Sequence, residues 1–590
     1  MTDRIMRNLL LAATGSIMLI AFAGCPSSSN EKSGVAKRQV SVSAERPADE
    51  SIAATKLPAD EFQQPAAVPP SEPLPKPTPD AIEPPAMLPA EPSNPLRNAA
   101  VPPDGAVVTV KAEENAATIT GRPNIAKNSG VPFDAVKENG PIFDGWPKPK
   151  LAMIITGMEE GYIEPCGCAG LDRMKGGMSR RHTLFKQLRA DGWPVIGLDV
   201  GGLVHGFGRQ TEMKFHTLLE GKVKMGYDAI AFGADDLRLP AAEFVSLPAE
   251  INPFVSANVG LFDFDSGIPA QFRVIEAGGM KVGVTAVLGK TYQKEIHSED
   301  LKMADPETAL AKIVPKLKQK ADYLVLLAHA TTDESVALAK KFPQFNVVVV
   351  SDGPPEPPRQ PETVKGAKTL LITVGYKGMN AIVLGLYDDL NPSVRYQRVP
   401  LDSRLAASPD MKMLMAAYQD ELKNIGFAGL GLRPVPHLLE ENGRFVGSAK
   451  CQSCHEKSYD IWKKSLHAHA YDTLANLDPP RNFDPECVSC HVVGWHPTSF
   501  FPYASGFESK EKTPQLMNTG CEDCHGPGEK HCAVELSGSE ELKQKLRKAM
   551  VVTKAESEKQ QCMTCHDLDN SPDFEFKAYW PFVEHNEKEE

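Results

Sequence analysis

The chain has 590 residues with 64 basic and 76 acidic side chains, so its formal net charge at neutral pH is −12. This length is enough for two or three domains. An acidic balance with no basic patch argues against a nucleic-acid-binding protein. The twelve cysteines are unevenly placed, because eight of them lie after residue 450 in a short pattern that occurs four times.

Residues 1–24 have the features of an export signal. Arg4 and Arg7 give a positive start, and the apolar stretch Leu9–Phe22 is too short and wrongly flanked for a membrane span. It ends in the tetrapeptide FAGC, which resembles the signal of bacterial lipoproteins except that Phe22 replaces the usual leucine. The resemblance implies cleavage before Cys25 and a lipid on its sulfur. The alternative is ordinary cleavage nearby and a free mature protein. In both cases we expect an exported protein, periplasmic or at the cell surface, and a lipid would anchor it to a membrane.

Residues 25–148 have the composition of a linker. Fifteen prolines lie between residues 58 and 103, and Ala, Glu and Ser fill most of the remaining positions. Such a segment has too few apolar residues to form a core, so we predict a disordered, partly extended tether.

Residues 149–405 change to alternating strands and helices, which predicts a layered α/β domain. The apolar runs predict strands at Leu151–Thr156, Pro194–Val200, Asp228–Phe232, Phe254–Val259, Phe272–Ala277, Lys281–Val287, Tyr323–Ala328, Val347–Ser351, Thr369–Val374 and Ala381–Tyr387. Helical spacing predicts helices at Ser179–Leu188, Thr211–Met225, Glu307–Gln319 and Asp333–Lys341.

Three segments of this domain resemble the calcineurin-like metallophosphoesterase domain of bacterial 5′-nucleotidases. Met225–Gly233 matches the strand before that family's metal-binding turn, and Phe254–Val259 matches the following strand. Leu326–His329 matches the strand that ends in a metal-ligand histidine. The order of the segments carries the resemblance, which implies a phosphoesterase fold.

The resemblance also implies where two metal ions would bind a phosphate and activate water. The family's ligand positions fall on Met158, Glu160, Gly201, Gly202, Gly233, Ala234, Asp235, Asp236, Ser351, Asp352 and Gly353. Only His329 keeps the expected type of ligand. We therefore expect a degenerate site whose metals have been lost. The alternative is an unusual acidic site formed by Asp199, Asp235 and Asp352.

The loop after the first predicted strand contains two thiols, Cys166 and Cys168, separated by one glycine. At the carboxyl edge of an α/β sheet such a pair is a candidate thiol site, which could bind a soft metal or cycle with a disulfide. The alternative is a purely structural pair. Arg180 and Arg181 follow, and would either favour thiolates or face solvent.

Residues 406–445 are predicted as a connector, with a helix from Pro409 to Asn424 that Gly426 breaks. Residues 446–590 then carry the repeated C-x-x-C-H pattern. It occurs at Cys451–His455, Cys487–His491, Cys521–His525 and Cys562–His566.

C-x-x-C-H is the attachment site of a c-type haem. Two thiols form thioethers with one porphyrin, and the next residue, a histidine, becomes an iron ligand. A pair of four-cysteine zinc sites would not explain a histidine after the second cysteine in all four cases. The attachment residues are therefore predicted to be Cys451, Cys454, Cys487, Cys490, Cys521, Cys524, Cys562 and Cys565, for four covalently bound haems. The proximal iron ligands are His455, His491, His525 and His566.

This last domain resembles the tetrahaem cytochrome c-554 family, a mainly α-helical multihaem fold. The matching residues are Trp462, Ser465, His467 to Ala470, Gly526 to Gly528, His531, Ser571, Pro572, Phe574, Phe576 and His585. The resemblance implies three distal iron ligands. They are His531 opposite His455, His585 opposite His525, and His467 opposite His566.

The resemblance implies no distal histidine opposite His491, which would leave one iron with an open position. This sequence departs from the family at His496, which could close that position. His469 competes with His467 as a ligand. These alternatives are open on the sequence alone.

The favoured interpretation is an exported, membrane-anchored cytochrome that transfers electrons to or from a redox partner protein. Its phosphoesterase-like domain would be non-catalytic and would serve docking or redox sensing. One alternative is an oxidoreductase that acts on a small nitrogen or oxygen species at an open haem. Another is an active metallophosphoesterase or 5′-nucleotidase. Whether the protein is an enzyme is therefore left open, with an electron carrier preferred.

Overall fold

The computed structural model describes residues 133–167, 171–248, 251–264, 267–389, 391–567 and 569–585. The export signal, Cys25, residues 25–132 of the linker and Cys168 lie outside these ranges, so the predictions about them are untested. Among the described residues, no helix combines the length and the apolar character that crossing a membrane requires.

Thirteen strands are described, numbered in chain order. They are β1 (Leu151–Thr156), β2 (Val195–Asp199), β3 (Tyr227–Ile230), β4 (Val259–Leu261), β5 (Arg273–Ala277), β6 (Met280–Leu288), β7 (Leu301–Met303), β8 (Tyr323–His329), β9 (Val347–Val350), β10 (Glu362–Thr363), β11 (Leu370–Thr373), β12 (Asn380–Leu386) and β13 (Val394–Pro400).

The described α-helices are numbered in the same way. They are α1 (Ala135–Asn139), α2 (Met178–Ala190), α3 (Arg209–Met225), α4 (Ala241–Val245), α5 (Lys290–Gln293), α6 (Pro306–Lys318), α7 (Thr332–Lys341), α8 (Pro409–Gly429), α9 (Glu456–Lys464), α10 (Ala470–Ala475), α11 (Pro485–Val488), α12 (Cys521–His525), α13 (Glu529–Ser537), α14 (Glu540–Ala549), α15 (Lys554–Glu556) and α16 (Phe576–Tyr579).

Two sheets face each other in the α/β region. The first has the order β13-β12-β1-β2-β3, and the second has the order β10-β11-β9-β8-β6-β5. In β1, Leu151, Met153 and Ile155 pack between the sheets, whereas Ala152 and Ile154 pack on the helical side. All six β1 residues are buried, because a strand covered on both faces must be apolar at every position.

Helices cover the outer faces of both sheets. Phe185 of α2 and Phe215 of α3 belong to the apolar cluster on the first sheet, and Leu310 and Leu317 of α6 belong to the cluster on the second. The region therefore has four layers, helix, sheet, sheet and helix, which confirms the predicted layered α/β fold.

The predicted connector helix belongs to this core. In α8 the side chains of Met411, Met415, Tyr418 and Leu422 are buried in the cluster that covers the first sheet. Gly426 has a positive φ of 65°, which interrupts the helix at the predicted residue.

The prediction of a disordered linker as far as residue 148 is wrong at its end. Residues 133–148 pack on the α/β region, where Trp146 stacks on Trp193 with ring centroids 6.3 Å apart. Asn139 donates to Asp402 at 2.8 Å, and Tyr387 donates to the carbonyl of Pro147 at 2.8 Å. A few anchoring contacts fix this segment without any periodic apolar pattern, so composition did not indicate it.

The C-terminal part is mainly helical, as predicted, but its helices are short. Its buried apolar cluster is small, with Phe445, Tyr471, Leu474, Val488, Val492, Val493, Trp495, Phe507 and Leu516. A core of this size gives little stabilisation by itself, which is typical of small domains that depend on a bound group.

Candidate haem centre

Each C-x-x-C-H motif lies in a single helical turn. The amide of His455 donates to the carbonyl of Cys451 at 3.0 Å, and that of His566 donates to Cys562 at 2.9 Å. The third motif forms the whole of α12. Residues three apart in a helical turn share a face, so each turn presents its two thiols on one side.

Three predicted pairs of imidazole rings are brought together. The ring centroids of His455 and His531 are 6.2 Å apart, with an interplanar angle of 28°. The rings of His467 and His566 are 6.0 Å apart at 41°, and those of His525 and His585 are 5.9 Å apart at 50°. Two metal–imidazole bonds of about 2 Å each, with half a ring on either side, give a spacing of roughly 6 Å.

The histidines of the last three motifs have their Nδ1 atoms engaged with the protein. Nδ1 of His491 lies 2.6 Å from the carbonyl of Ala470, and Nδ1 of His525 lies 2.6 Å from that of Met550. Nδ1 of His566 lies 3.1 Å from Oγ of Ser571. A ligand histidine usually donates its second ring N–H in this way, which leaves Nε2 as the metal-binding atom.

His491 differs from the other three motif histidines. Among the described residues, no imidazole is paired with it at the spacing that the other three pairs show. His496 instead packs on Phe501 with ring centroids 4.9 Å apart, and its Nδ1 accepts the amide of Ser499 at 3.1 Å. Among the described residues, His491 is thus the motif histidine that faces no second imidazole at this spacing.

His469 is exposed, whereas His467 is half-buried and faces His566. The position of His467 opposite His566 therefore favours His467 over His469 as the candidate for the distal ligand. The two histidines lie in a 3₁₀ turn, Leu466–His469, which follows the end of α9. No single helix runs through this segment, and Leu466 is exposed.

The residues present fit c-type haem. The donor set consists of thiol pairs on one face of a turn and four motif imidazoles, three of which face a second imidazole across a metal-sized spacing. The first and third motifs are neighbours, because the side chains of Cys451 and Cys521 are in contact. The second and fourth are neighbours through Cys490 and Cys565.

The cleft of the α/β region contains a buried network of charges. Lys222 contacts the carboxylates of Asp199 and Glu159, and the latter lies 2.8 Å away. Arg181 is 2.8 Å from Glu159 on the other side. Although burial lowers the pKa of Lys222, the two carboxylates raise it above its ordinary value overall. Two cations of the chain thus neutralise two carboxylates next to the predicted ligand positions.

The retained histidine is also engaged within the chain. Nδ1 of His329 lies 3.1 Å from the carbonyl of Val200, and Nε2 accepts the amide of Ala234 at 3.1 Å. Burial lowers the pKa of His329 to about 4, so the ring is neutral and both nitrogens are used. A metal ion would have to displace the second of these hydrogen bonds.

The carboxylates of the alternative acidic site have separate partners. Asp235 lies 2.7 Å from His205, and Asp352 accepts from Thr332 at 2.9 Å. Asp199 is bound to Lys222. Within the described ranges, no three His, Cys, Asp or Glu side chains are grouped so that they could hold a metal ion.

The loop with the candidate thiol site touches the haem-binding part. Arg481, which precedes the second motif, donates to the carbonyl of Pro165 at 2.9 Å. Cys166 is half-buried, and its neighbour Cys168 is outside the described residues. Neither Arg180 nor Arg181 faces solvent as one alternative expected. Both are buried, and Arg180 donates to the carbonyl of Leu171 at 2.9 Å.

Residues 450–526 match the family model of cytochrome c554 and c-prime. A curated relative is cytochrome c-554 of Nitrosomonas europaea, 36% identical over 103 residues, which cover 15% of this chain and 41% of that protein. The C-terminal part is similar to cytochrome c-554. The match supports covalently bound c-type haem in the c-554-like part, whose helical fold agrees with it.

The α/β region has different relatives. Snake venom 5′-nucleotidase of Gloydius brevicauda is 28% identical over 196 residues, which cover 31% of this chain and 32% of that protein. The chain thus spans less than half the length of either curated relative. The region resembles metallophosphoesterases in its layered sheets.

Solved structures similar to the chain include the 5′-nucleotidase precursor of Thermus thermophilus. It has a TM-score of 0.39, 18% identity, and coverage of 47% of this chain and 59% of that one. The NAD nucleotidase of Haemophilus influenzae has a TM-score of 0.38, 13% identity, and coverage of 51% and 64%. Nothing about activity follows from similarity at this level.

Sequence reasoning missed several functional partners. The Nδ1 acceptors on Ala470 and Met550 are backbone carbonyls, which no residue type signals. Lys222 resembles an ordinary helix lysine, although its spacing from buried Leu218 and Leu219 on α3 was a usable signal. The ion pair between Lys214 of α3 and Glu486, the residue before the second motif, had no signal either.

Proposed function

We propose that this protein is an exported multihaem c-type cytochrome that transfers electrons. Four haems would be attached through the eight motif cysteines. The observation that carries the proposal is the set of three imidazole pairs at 5.9–6.2 Å, each containing one motif histidine. Haem iron with two imidazole ligands passes single electrons without a position for substrate.

The chain's own residues would do three things at these sites. The motif cysteines would hold each group covalently, the paired histidines would supply two imidazole ligands to each of three irons, and the carbonyls of Ala470 and Met550 would fix the ring orientations of His491 and His525. Contacts between Cys451 and Cys521, and between Cys490 and Cys565, bring the attachment points together in two pairs. Such closeness suits electron transfer between neighbouring groups.

The haem count tests this proposal. Pyridine haemochrome per mole of purified protein should give four. The double variant Cys562→Ala and Cys565→Ala should give three, whereas Cys532→Ala, a matched cysteine outside the motifs, should leave the count at four. A count near two in the unmodified protein would overturn the four-haem proposal.

We infer membrane attachment through Cys25 from its sequence context. Cys25→Ser should release the protein from the membrane fraction into the soluble fraction, and Ser27→Ala should not. A Cys25→Ser protein that still sediments with membranes through its N-terminus would contradict the anchor.

A second candidate function has a specific observation in its favour. Because His491 has no imidazole paired with it among the described residues, its iron would have a free coordination position, suited to a small nitrogen or oxygen species. Nitric oxide or cyanide added to the oxidised protein should bind one haem in four. An unchanged visible spectrum at saturating cyanide would exclude this oxidoreductase alternative.

For the α/β region we propose a non-catalytic role in docking or redox sensing, in place of nucleotidase activity. Its former ligand positions carry side chains such as Met158, and His329 is bound to the backbone at both nitrogens. Assays with 5′-nucleotides and added manganese or zinc should show no turnover. Rates of about 1 per second or more would show that a different ligand set works.

A further inference from the structure

The second haem motif begins at a short acidic segment that the α/β region holds. Helix α11, Pro485–Val488, contains Cys487, the first thiol of this motif. Asp484 caps the helix by accepting the amide of Glu486 at 3.1 Å. Two carboxylates therefore lie beside the point where this haem would be attached.

Three side chains of the α/β region bind these carboxylates. Gln210 of α3 donates to Oδ1 of Asp484 at 3.0 Å, and Gln419 of α8 donates to Oδ2 at 3.0 Å. Lys214, one helical turn after Gln210, forms an ion pair with Glu486. Both ends of the acidic segment are thus bound by helices that belong to the core of the other region.

Burial makes the charge on Lys214 effective. Lys214 is 8% exposed and Asp484 is 5% exposed, while Gln419 and Tyr418 next to them are also buried. In such surroundings a charge acts with less screening than at the surface. The amides of Gln210 and Gln419 are neutral, so Lys214 is the cation among these three side chains.

A buried positive charge near a haem favours the reduced form, because reduction adds an electron. A negative charge, such as that of the exposed Glu486, favours the oxidised form. Net charge and hydrogen bonding around a haem are among the features by which proteins set its reduction potential. Lys214 and Glu486 therefore act on the second haem with opposite signs.

We propose that Lys214 of the α/β region is a positioning residue for the second haem. It holds the attachment segment through Glu486 and, by its charge, raises the reduction potential of that haem. The inference rests on the proposed function, since it needs a haem at Cys487 and Cys490. On this proposal, the phosphoesterase-like region helps to set the reduction potential of the second haem.

Redox titration of the haem-loaded protein tests this proposal. Lys214→Met should lower the potential of one haem in four, and Glu486→Gln should raise the potential of the same haem. The double variant should return near the original value, because both charges are then absent. A merely structural contact would not give shifts of opposite sign. The affected haem should be the one that binds cyanide.

A matched pair provides the control. Lys341 and Glu307 form an ion pair on α7 and α6, the helices that cover the second sheet. Lys341→Met and Glu307→Gln should leave all four potentials unchanged. If Lys214→Met does not fold, Glu486→Gln alone must still raise one potential.

The outcome separates this inference from the proposed function. A protein that carries four haems but shows no shift in either variant overturns the role of Lys214 and leaves electron transfer intact. A protein that carries no haem in the second motif overturns the proposed function there. Shifts of the same sign in both variants also overturn the inference, since they would report a structural disturbance.

Discussion

The α/β region and the haem-binding part treat their polar side chains in opposite ways. In the cleft of the α/β region, Lys222 and Arg181 pair with Asp199 and Glu159, so each of these four charges has a partner within the chain. In the haem-binding part, imidazoles face each other at about 6 Å and thiols lie beside them. The first arrangement balances its charges within the chain, and the second has the form of a binding site.

The difference shows that a fold and its site depend on different residues. Long buried strands such as β1 and β8 keep the α/β layers together whatever lies in the cleft. A few polar positions decide whether metal ions bind, and in this chain both ring nitrogens of His329 lie at hydrogen-bond distance from backbone groups. In the haem-binding part the apolar cluster is small, so the groups that bind haem also support the fold.

The largest expected loss of stability comes from removing the buried cation Lys222, which tests whether the α/β region depends on its paired charges. Lys222→Met would leave Asp199 and Glu159 buried with only Arg181 to balance them. Loss of one partner from a buried pair costs about 3–5 kcal/mol in the free energy of unfolding, because the remaining charge is uncompensated. Urea unfolding followed by circular dichroism measures this loss.

Lys224 is the control for this prediction. It lies on the same helix, is more than a third exposed, and is 3.6 Å from Glu220. Lys224→Met should change the free energy of unfolding by less than about 0.5 kcal/mol. If the two variants were equally stable, the charge network would not support the α/β region, and the proposed contrast between the regions would fail.

Substitution of His467 tests whether the paired imidazoles of the haem-binding part are iron ligands. His467→Ala would remove the imidazole that faces His566 at 6.0 Å, so that iron would lose a strong ligand. If the iron bound by His491 is already open, electron paramagnetic resonance should show one high-spin haem in four before the change and two after it. The exposed His469 is the control, and His469→Ala should not change the spectrum.

Substitution of His496 tests the alternative in which His496 is the second ligand of the iron bound by His491. If the unmodified protein is entirely low-spin and His496→Ala makes one haem in four high-spin, then His496 is a ligand. In that case its contacts with Phe501 and Ser499 would have to give way on haem binding. Pure electron transfer would then be favoured over small-molecule chemistry.

Much of the α/β fold could be predicted, because its strands are buried on both faces. β1 has the predicted bounds, and β8 differs from its prediction by one residue. The strand predicted at Phe254–Val259 forms isolated bridges at Phe254 and Val255, and β4 begins only at Val259. Asn258 accepts from the amide of Leu288 and donates to its carbonyl, both at 2.9 Å, so side-chain bonds replace ladder pairing at this residue.

Other elements gave no usable signal. β13, Val394–Pro400, is an edge strand whose first four residues are only half-buried, so it lacks a clear apolar pattern. At the haem centre the residues indicated the four motifs, whereas the distal histidines came from resemblance. The contact between Lys214 and Glu486 joins residues 272 positions apart, which no local pattern predicts.

The smallest expected effect concerns pH and His329. Burial lowers the pKa of His329 in the folded state to about 4, whereas an unfolded histidine titrates near 6.5. Below pH 6.5 the unfolded chain takes up a proton that the folded chain does not. The contribution of His329 to the free energy of unfolding is therefore fully present above pH 6.5 and is lost as the pH falls toward 4. Between pH 7 and pH 5 the free energy of unfolding of the α/β region should fall by about 2 kcal/mol because of this group.

His329→Gln should remove that part of the pH dependence, and His297→Gln, at an exposed histidine, should keep it. Urea unfolding at both pH values makes the measurement. A His329→Gln protein with the same pH dependence as the unmodified one would mean that His329 takes up its proton equally well in the folded and unfolded chains, so that burial would not lower its pKa.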